Sequence, residues 1–209
     1  MIHHQKFSPR GFTLIEMLVA LALFSVIITI VVGSFLSLIS FNQATDSDRL
    51  VMDNLVFALD GMTRDFRSGT YYYCGTGASS LPVFSNPQSL NKTTSDCFGR
   101  GSAPANSLHG VSVIESGTAN KRITYYHDPV QKTIMRKVAN GAAQRIISEG
   151  VSVDKVFFFV TGSATLETDP SRNTIQPTVT IVLEASLADS VDAYPIQLQT
   201  TVTQRSLDI

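Results

Sequence analysis

The chain reads as α+β: one long N-terminal helix packed on an antiparallel β-sheet. Three observations predict this. Residues 12–41 form an apolar run interrupted by a single ionisable side chain, Glu16. Residues 42–69 then keep a helical period, with Val51, Leu55, Leu59, Met62 and Phe66 recurring at steps of four or three. Beyond them, apolar and polar residues alternate at period two, the pattern of strands with one covered face and one wet face.

The apolar run is long enough to cross a bilayer as a helix, for which roughly 20 residues suffice. Lys6 and Arg10 precede it, and the first charges after it are Asp46, Asp48 and Arg49. That asymmetry keeps the N-terminus cytoplasmic and puts the rest of the chain outside. A secretory signal would have a shorter apolar core followed by a small-residue cleavage site, which this run lacks. A plain single-pass anchor fits everything except Glu16. A carboxylate inside a membrane helix costs about 3 kcal/mol on insertion scales and is retained for a partner. The helix N-terminus offers partial positive charge and free N–H groups. A cut just before the run would offer a new α-ammonium on Phe12 as well.

The stretch RGFTLIE, from Arg10 to Glu16, resembles the leader of type IV pilins and their pseudopilin relatives: a basic leader, Gly11, Phe12, Thr-Leu-Ile-Glu, then an unbroken apolar helix. The resemblance implies cleavage between Gly11 and Phe12 by a membrane-embedded prepilin peptidase and N-methylation of Phe12. It also implies a register role for Glu16, whose carboxylate would pair with the N-terminal amine of a neighbouring subunit. The physics agrees with that role. A buried carboxylate and a buried ammonium are each costly alone and less so together, so a pair met only in correct register specifies assembly. Many major pilins carry proline twenty-two positions after the cut; here that position is Gly33, followed by Ser34, which also softens a helix. The substitution points away from an abundant major subunit.

In the second half of the helix, Asp48, Arg49, Asp53, Asp60, Arg64 and Asp65 interleave with the apolar stripe, which must lie on a sheet. Gly69 is a suitable C-terminal stop. As one element over 12–67 the helix would run roughly 80 Å. From 71 to 106 the sequence is dense in Gly, Ser, Asn and Pro and reads as loop, with at most a short strand at 81–84, although Tyr71, Tyr72 and Tyr73 suit a strand beside the helix end. Cys74 and Cys97 fall in this stretch. If the region lies outside the cytoplasm a disulfide between them is expected, worth about 3 kcal/mol in the chain-entropy model; two unpaired thiols are the alternative. Strands are predicted at 109–115, 122–127, 133–138, 145–147 and 151–160, with the last central, then in alternating segments around Val179, Ile181 and Leu183 and around Ile196, Leu198, Thr200 and Val202. The sequence DPVQ reads as the turn of a hairpin.

Catalytic chemistry is not expected. No serine sits in a nucleophile elbow, and no HExxH or paired-histidine motif occurs. His127 precedes Asp128-Pro129 and reads as an exposed flank of the turn; His109 opens a strand and reads as a surface residue. Asp46, Asp48 and Asp53 lie on a helix without a calcium-wrapping loop, and the two cysteines have no CxxC or histidine cluster with them, so no metal and no cofactor is predicted. Gly75 and Gly77 lack phosphate-loop spacing. A net charge of −1, with 16% charged residues, argues against nucleic acid as a partner.

Four segments follow: a cleaved basic leader at 1–11, a transmembrane and assembly helix at 12–41, an amphipathic helix at 42–69, and an extracytoplasmic β-rich domain at 70–209 with a loop near 74–106. The stretch from Ile123 to Val160 further resembles minor pilins and the J-type minor pseudopilins of type II secretion. The resemblance implies a minor subunit, held in the inner membrane and then drawn into a filament near its tip. Its partners would be other pilin or pseudopilin subunits, prepilin peptidase, the inner-membrane assembly platform and, before assembly, membrane lipid. The rival is a membrane-anchored binding module that presents the 74–97 loop for adhesion or DNA uptake.

Overall fold

The computed structural model describes residues 11–76, 85–98, 109–165, 167–171, 173, 175–188 and 194–205. The architecture is α+β, as expected. Among the described residues one α-helix, α1 (Leu14–Ser68), precedes nine strands, all paired antiparallel to their sheet neighbours. The chain divides into two compact units, Met1–Asp46 and Ser47–Ile209.

In the first unit α1 runs through Gly33 and Ser34 without a break. Its large apolar side chains from Leu14 to Phe41 are exposed rather than buried. Four of its hydroxyls close on the helix itself: Ser25 donates to the Leu21 carbonyl (2.7 Å), Thr29 to Ser25 (2.8 Å), Ser34 to Ile30 (2.9 Å) and Ser40 to Ser37 (2.9 Å). Such back-bonding lets a hydroxyl face an apolar medium without losing its hydrogen bond.

The second unit corrects the expectation of one sheet. Two sheets form. One has the order β1 (Thr70–Thr76), β3 (His109–Ile114), β4 (Arg122–Asp128), β5 (Thr133–Val138), β6 (Gln144–Arg145). The other has the order β2 (Cys97–Phe98), β7 (Val151–Thr161), β8 (Thr178–Leu187), β9 (Ile196–Thr203). The apolar stripe of α1, from Val51 to Phe66, shares one core with Val111, Val113, Ile123, Tyr125 and Ile134 of the first sheet and with Val156, Phe158, Ile181 and Leu183 of the second. Asp65 anchors this packing, its Oδ2 accepting from the Tyr125 hydroxyl (2.6 Å) and from Arg136 Nη2 (3.0 Å).

Strand β7 shows how a sequence that breaks period two still fits one face. Val151 and Val153 are buried at odd positions, whereas Val156, Phe158 and Val160 are buried at even ones. A bulge between Val153 and Lys155 in the pairing with β8 absorbs the change of phase. Tyr71, Tyr72 and Tyr73 lie in a strand, β1, as expected, and the strand runs on to Thr76 into the stretch expected to be loop; Tyr72 is buried and donates its hydroxyl to the Phe66 carbonyl. Within 85–98 a 3-10 turn (Pro87–Leu90) and β2 also give the expected loop regular structure. The short strand expected at 81–84 lies outside the described residues.

Helix α1 ends at Ser68, before Gly69 as predicted, but the glycine serves space rather than a left-handed turn. A Cβ there would sit 2.8 Å from Val113 Cβ and 2.9 Å from the Asp65 carbonyl oxygen.

Candidate functional site

Two places gather the residues that the sequence singles out: the start of α1 and the disulfide-bearing segment after β1.

Gly11, Phe12 and Thr13 precede the helix, and Phe12 is 76% exposed. Thr13 caps it: its Oγ1 accepts from the Glu16 backbone N–H (3.3 Å), and its carbonyl accepts from the Met17 N–H (3.3 Å). The sequence T-L-I-E is therefore a capping-box pattern, with Glu16 three residues past the cap. Sequence reading passed over this, although the Thr-x-x-Glu spacing ahead of an apolar run was its signal. Glu16 lies in the first turn, where the helix dipole favours an anion. Among the described residues its carboxylate makes no hydrogen bond or ion pair, so it is free to meet a group from outside. A Cβ added to Gly11 would meet nothing within 4 Å. Glycine at this position thus answers to no packing demand of the described fold. Lys6 and Arg10 lie outside the described residues.

Cys74 and Cys97 form a disulfide, with their Cα atoms 5.7 Å apart. Because Cys74 belongs to β1 and Cys97 to β2, the bond joins one sheet to the other. Backbone bonds flank it, from Cys74 N to the Ser95 carbonyl and from Ser95 N to the Tyr72 carbonyl, each 3.0 Å.

A second tie, unforeseen from sequence, is Arg122 at the start of β4. The residue is 0% exposed. Its guanidinium donates from Nε to the Asn91 carbonyl (2.9 Å), from Nη2 to Thr93 (2.8 Å), and from Nη1 to Tyr71 (3.0 Å) and Ser112 (3.3 Å). Its backbone N–H donates to Gln88 Oε1 (2.9 Å). Burial lowers its pKa to about 10, partly opposed by Tyr73, so the group stays a cation at neutral pH. No carboxylate is among these contacts; carbonyl oxygens from the 86–97 segment and from two strands solvate the charge. An arginine fork suits that task because its donors diverge in one plane.

His127 requires a correction. It is buried, not an exposed turn flank: it is 7% exposed, and Nε2 lies 3.0 Å from the Val153 carbonyl. That oxygen can only accept, so Nε2 carries the proton, and the contact links β4 to β7 across the two sheets. Burial lowers its pKa below the usual histidine value, partly offset by the Val153 carbonyl. The hairpin turn itself is as predicted, with Asp128 Oδ1 accepting from Val130 N (2.9 Å) and Gln131 N (3.1 Å). The backbone of His109 opens β3. Asp48 and Asp53 lie exposed on α1. Among the described residues no three His, Cys, Asp or Glu side chains gather as a metal site would require.

No curated protein and no solved structure matches this chain. Residues 7–41 match the family described as the prokaryotic N-terminal methylation motif. The match spans Gly11 and Phe12, the capped helix start and the exposed apolar half of α1, and it supports a type IV pilin-like or pseudopilin chain that prepilin peptidase processes.

Proposed function

We propose that this chain is a minor pilin or pseudopilin: a structural subunit rather than an enzyme, made as a precursor, cut between Gly11 and Phe12, N-methylated on Phe12, and built into a filament near its tip. In this reading residues 1–11 are the leader, 12–41 the membrane and assembly helix, 42–69 its amphipathic continuation, and 70–209 the extracytoplasmic domain. The single observation that carries it is the methylation motif at 7–41, which coincides with a helix that is apolar, unburied and long enough to cross a membrane. Two details support it. Gly11 has no packing reason to be glycine, as a residue read by a peptidase would not. Glu16 is the one charge of the span and is unpaired among the described residues, as a group kept for a neighbouring subunit's ammonium would be.

Intact-mass measurement and N-terminal sequencing of the protein from membranes containing active prepilin peptidase test the reading. The expected product begins at N-methylated Phe12. A chain still beginning at Met1 would reject it in favour of a membrane-anchored binding module. Glu16→Ala should leave cleavage intact and remove the subunit from sheared filaments. Unchanged incorporation would reject the register role.

A further inference from the structure

Among the described residues the two sheets have four outer edges, and three of these are ill suited to further pairing. Strands β2 and β6 have only two residues each. Strand β1 carries a register shift between Thr70 and Tyr73, places Tyr71 at φ 53°, and is bridged by Ser95. Strand β9 differs. It pairs with β8 in unbroken register from Thr178–Thr203 to Ala185–Ile196. Threonine hydroxyls fix that register, Thr180 and Thr201 meeting at 2.9 Å. Its sequence, IQLQTTVT, holds no charge and no proline. Sheets ordinarily blunt a long edge with a charge, a proline or a bulge, because its outward N–H and C=O groups template another strand. Strand β9 has none of these.

The second observation is what lies along that edge. A cleft of about 480 Å³ is lined by Thr200, Thr201 and Val202 of β9, by Arg205 just after it, and by Asp60, Arg64 and Arg67, among others, of α1. Thr200 and Val202 project to one face of the sheet and Thr201 to the other, and the cleft reaches all three. Arg64 is paired with Asp60 at 2.9 Å. Arg67 and Arg205 are exposed and have no acidic partner among the described residues. The Arg205 N–H donates to the Arg67 carbonyl (2.8 Å), which ties the backbones of the two residues together at the cleft.

We propose that the β9 edge and this cleft form a docking groove for an extended acidic segment of a partner protein, added to the four-stranded sheet as a further strand with its carboxylates on Arg67 and Arg205. Main-chain pairing along β9 supplies the hold, and the two guanidinium groups select the charge. A nucleic acid fits less well, since it cannot continue a strand ladder and two free arginines neutralise few phosphates. The inference is independent of the assembly reading, because the groove lies wholly within Ser47–Ile209.

The full chain in detergent micelles is titrated with a short labelled peptide alternating aspartate and valine, with its lysine counterpart, with the aspartate peptide N-methylated along its backbone, and with a single-stranded oligonucleotide. The aspartate peptide should bind at least about tenfold tighter than the lysine peptide and slow amide exchange in β9. N-methylation, which blocks strand pairing but keeps the charges, should abolish binding. Arg67→Gln with Arg205→Gln should remove the charge preference and leave the melting temperature unchanged. The proposal is overturned by equal binding of both peptides, by binding without protection of β9, by full binding of the methylated peptide, or by preference for the oligonucleotide.

Discussion

Replacing Arg122 by leucine would remove a buried cation and leave four carbonyl oxygens, those of Tyr71, Asn91, Thr93 and Ser112, without their donor. A buried acceptor stripped of its partner costs about 1–3 kcal/mol. Against this, the lowering of the Arg122 pKa to about 10 corresponds to about 3 kcal/mol of desolvation that leucine would not suffer. The segment carrying Asn91 and Thr93 can also lift and rehydrate its two carbonyls. Four acceptors at about 2 kcal/mol each, less about 3 kcal/mol of desolvation, give a loss of roughly 5 kcal/mol with the segment in place, falling toward about 1 kcal/mol as its two carbonyls rehydrate. Urea denaturation in micelles, followed by circular dichroism, reads that loss. Hydrogen exchange should localise it, with amides of 87–93 exchanging first. Arg122→Lys keeps the charge without the fork and should recover only part of the stability. A loss of under about 1 kcal/mol for Arg122→Leu, or unchanged exchange in 87–93, would refute the reasoning.

Three further outcomes follow from the same geometry. His127 has a folded pKa below its unfolded value, so its contribution is complete above about pH 6.5 and is lost as pH falls below that value; melting between pH 7 and 5 should show this, and His127→Gln, which can still donate to Val153, should flatten it. Gly69→Ala forces a Cβ within 2.8 Å of Val113 and should destabilise by about 1–3 kcal/mol through overpacking; an unchanged melting temperature would contradict that contact. Cys74→Ser with Cys97→Ser should lose about 3 kcal/mol, yet amides of 87–93 should stay protected because Arg122 still holds Asn91 and Thr93.

Sequence periodicity carried the helix and most strands because burial imposes it directly. The stripe from Val51 to Phe66 and the alternation in β8 and β9 are one-dimensional traces of a covered face. The division into two sheets left no such trace, since it depends on which distant strands pair; β2 joins β7 across more than fifty positions of chain. His127 was misread because Asp128-Pro129 is a strong local turn signal, whereas its burial comes from Val153 on another sheet. Arg122 was invisible for a related reason. An arginine at a strand start reads as solvated, and its acceptors are backbone oxygens that every residue possesses. At the helix start the reverse held: Gly11, Phe12 and Glu16 were legible as a motif, while the capping role of Thr13 within it was passed over.

The self-closed hydroxyls of the first half of α1 have a consequence for orientation. Ser25, Thr29, Ser34 and Ser40 return their protons to their own helix, so the rod presents nearly the same apolar surface at every azimuth. Such a surface exchanges acyl chains for another helix with little change in solvation, and it leaves rotation about the long axis almost degenerate. Only Glu16 marks an angle on it. Under the proposed pairing of Glu16 with a neighbouring subunit's ammonium, that single contact would set the rotation of a rod whose surface otherwise leaves it undetermined.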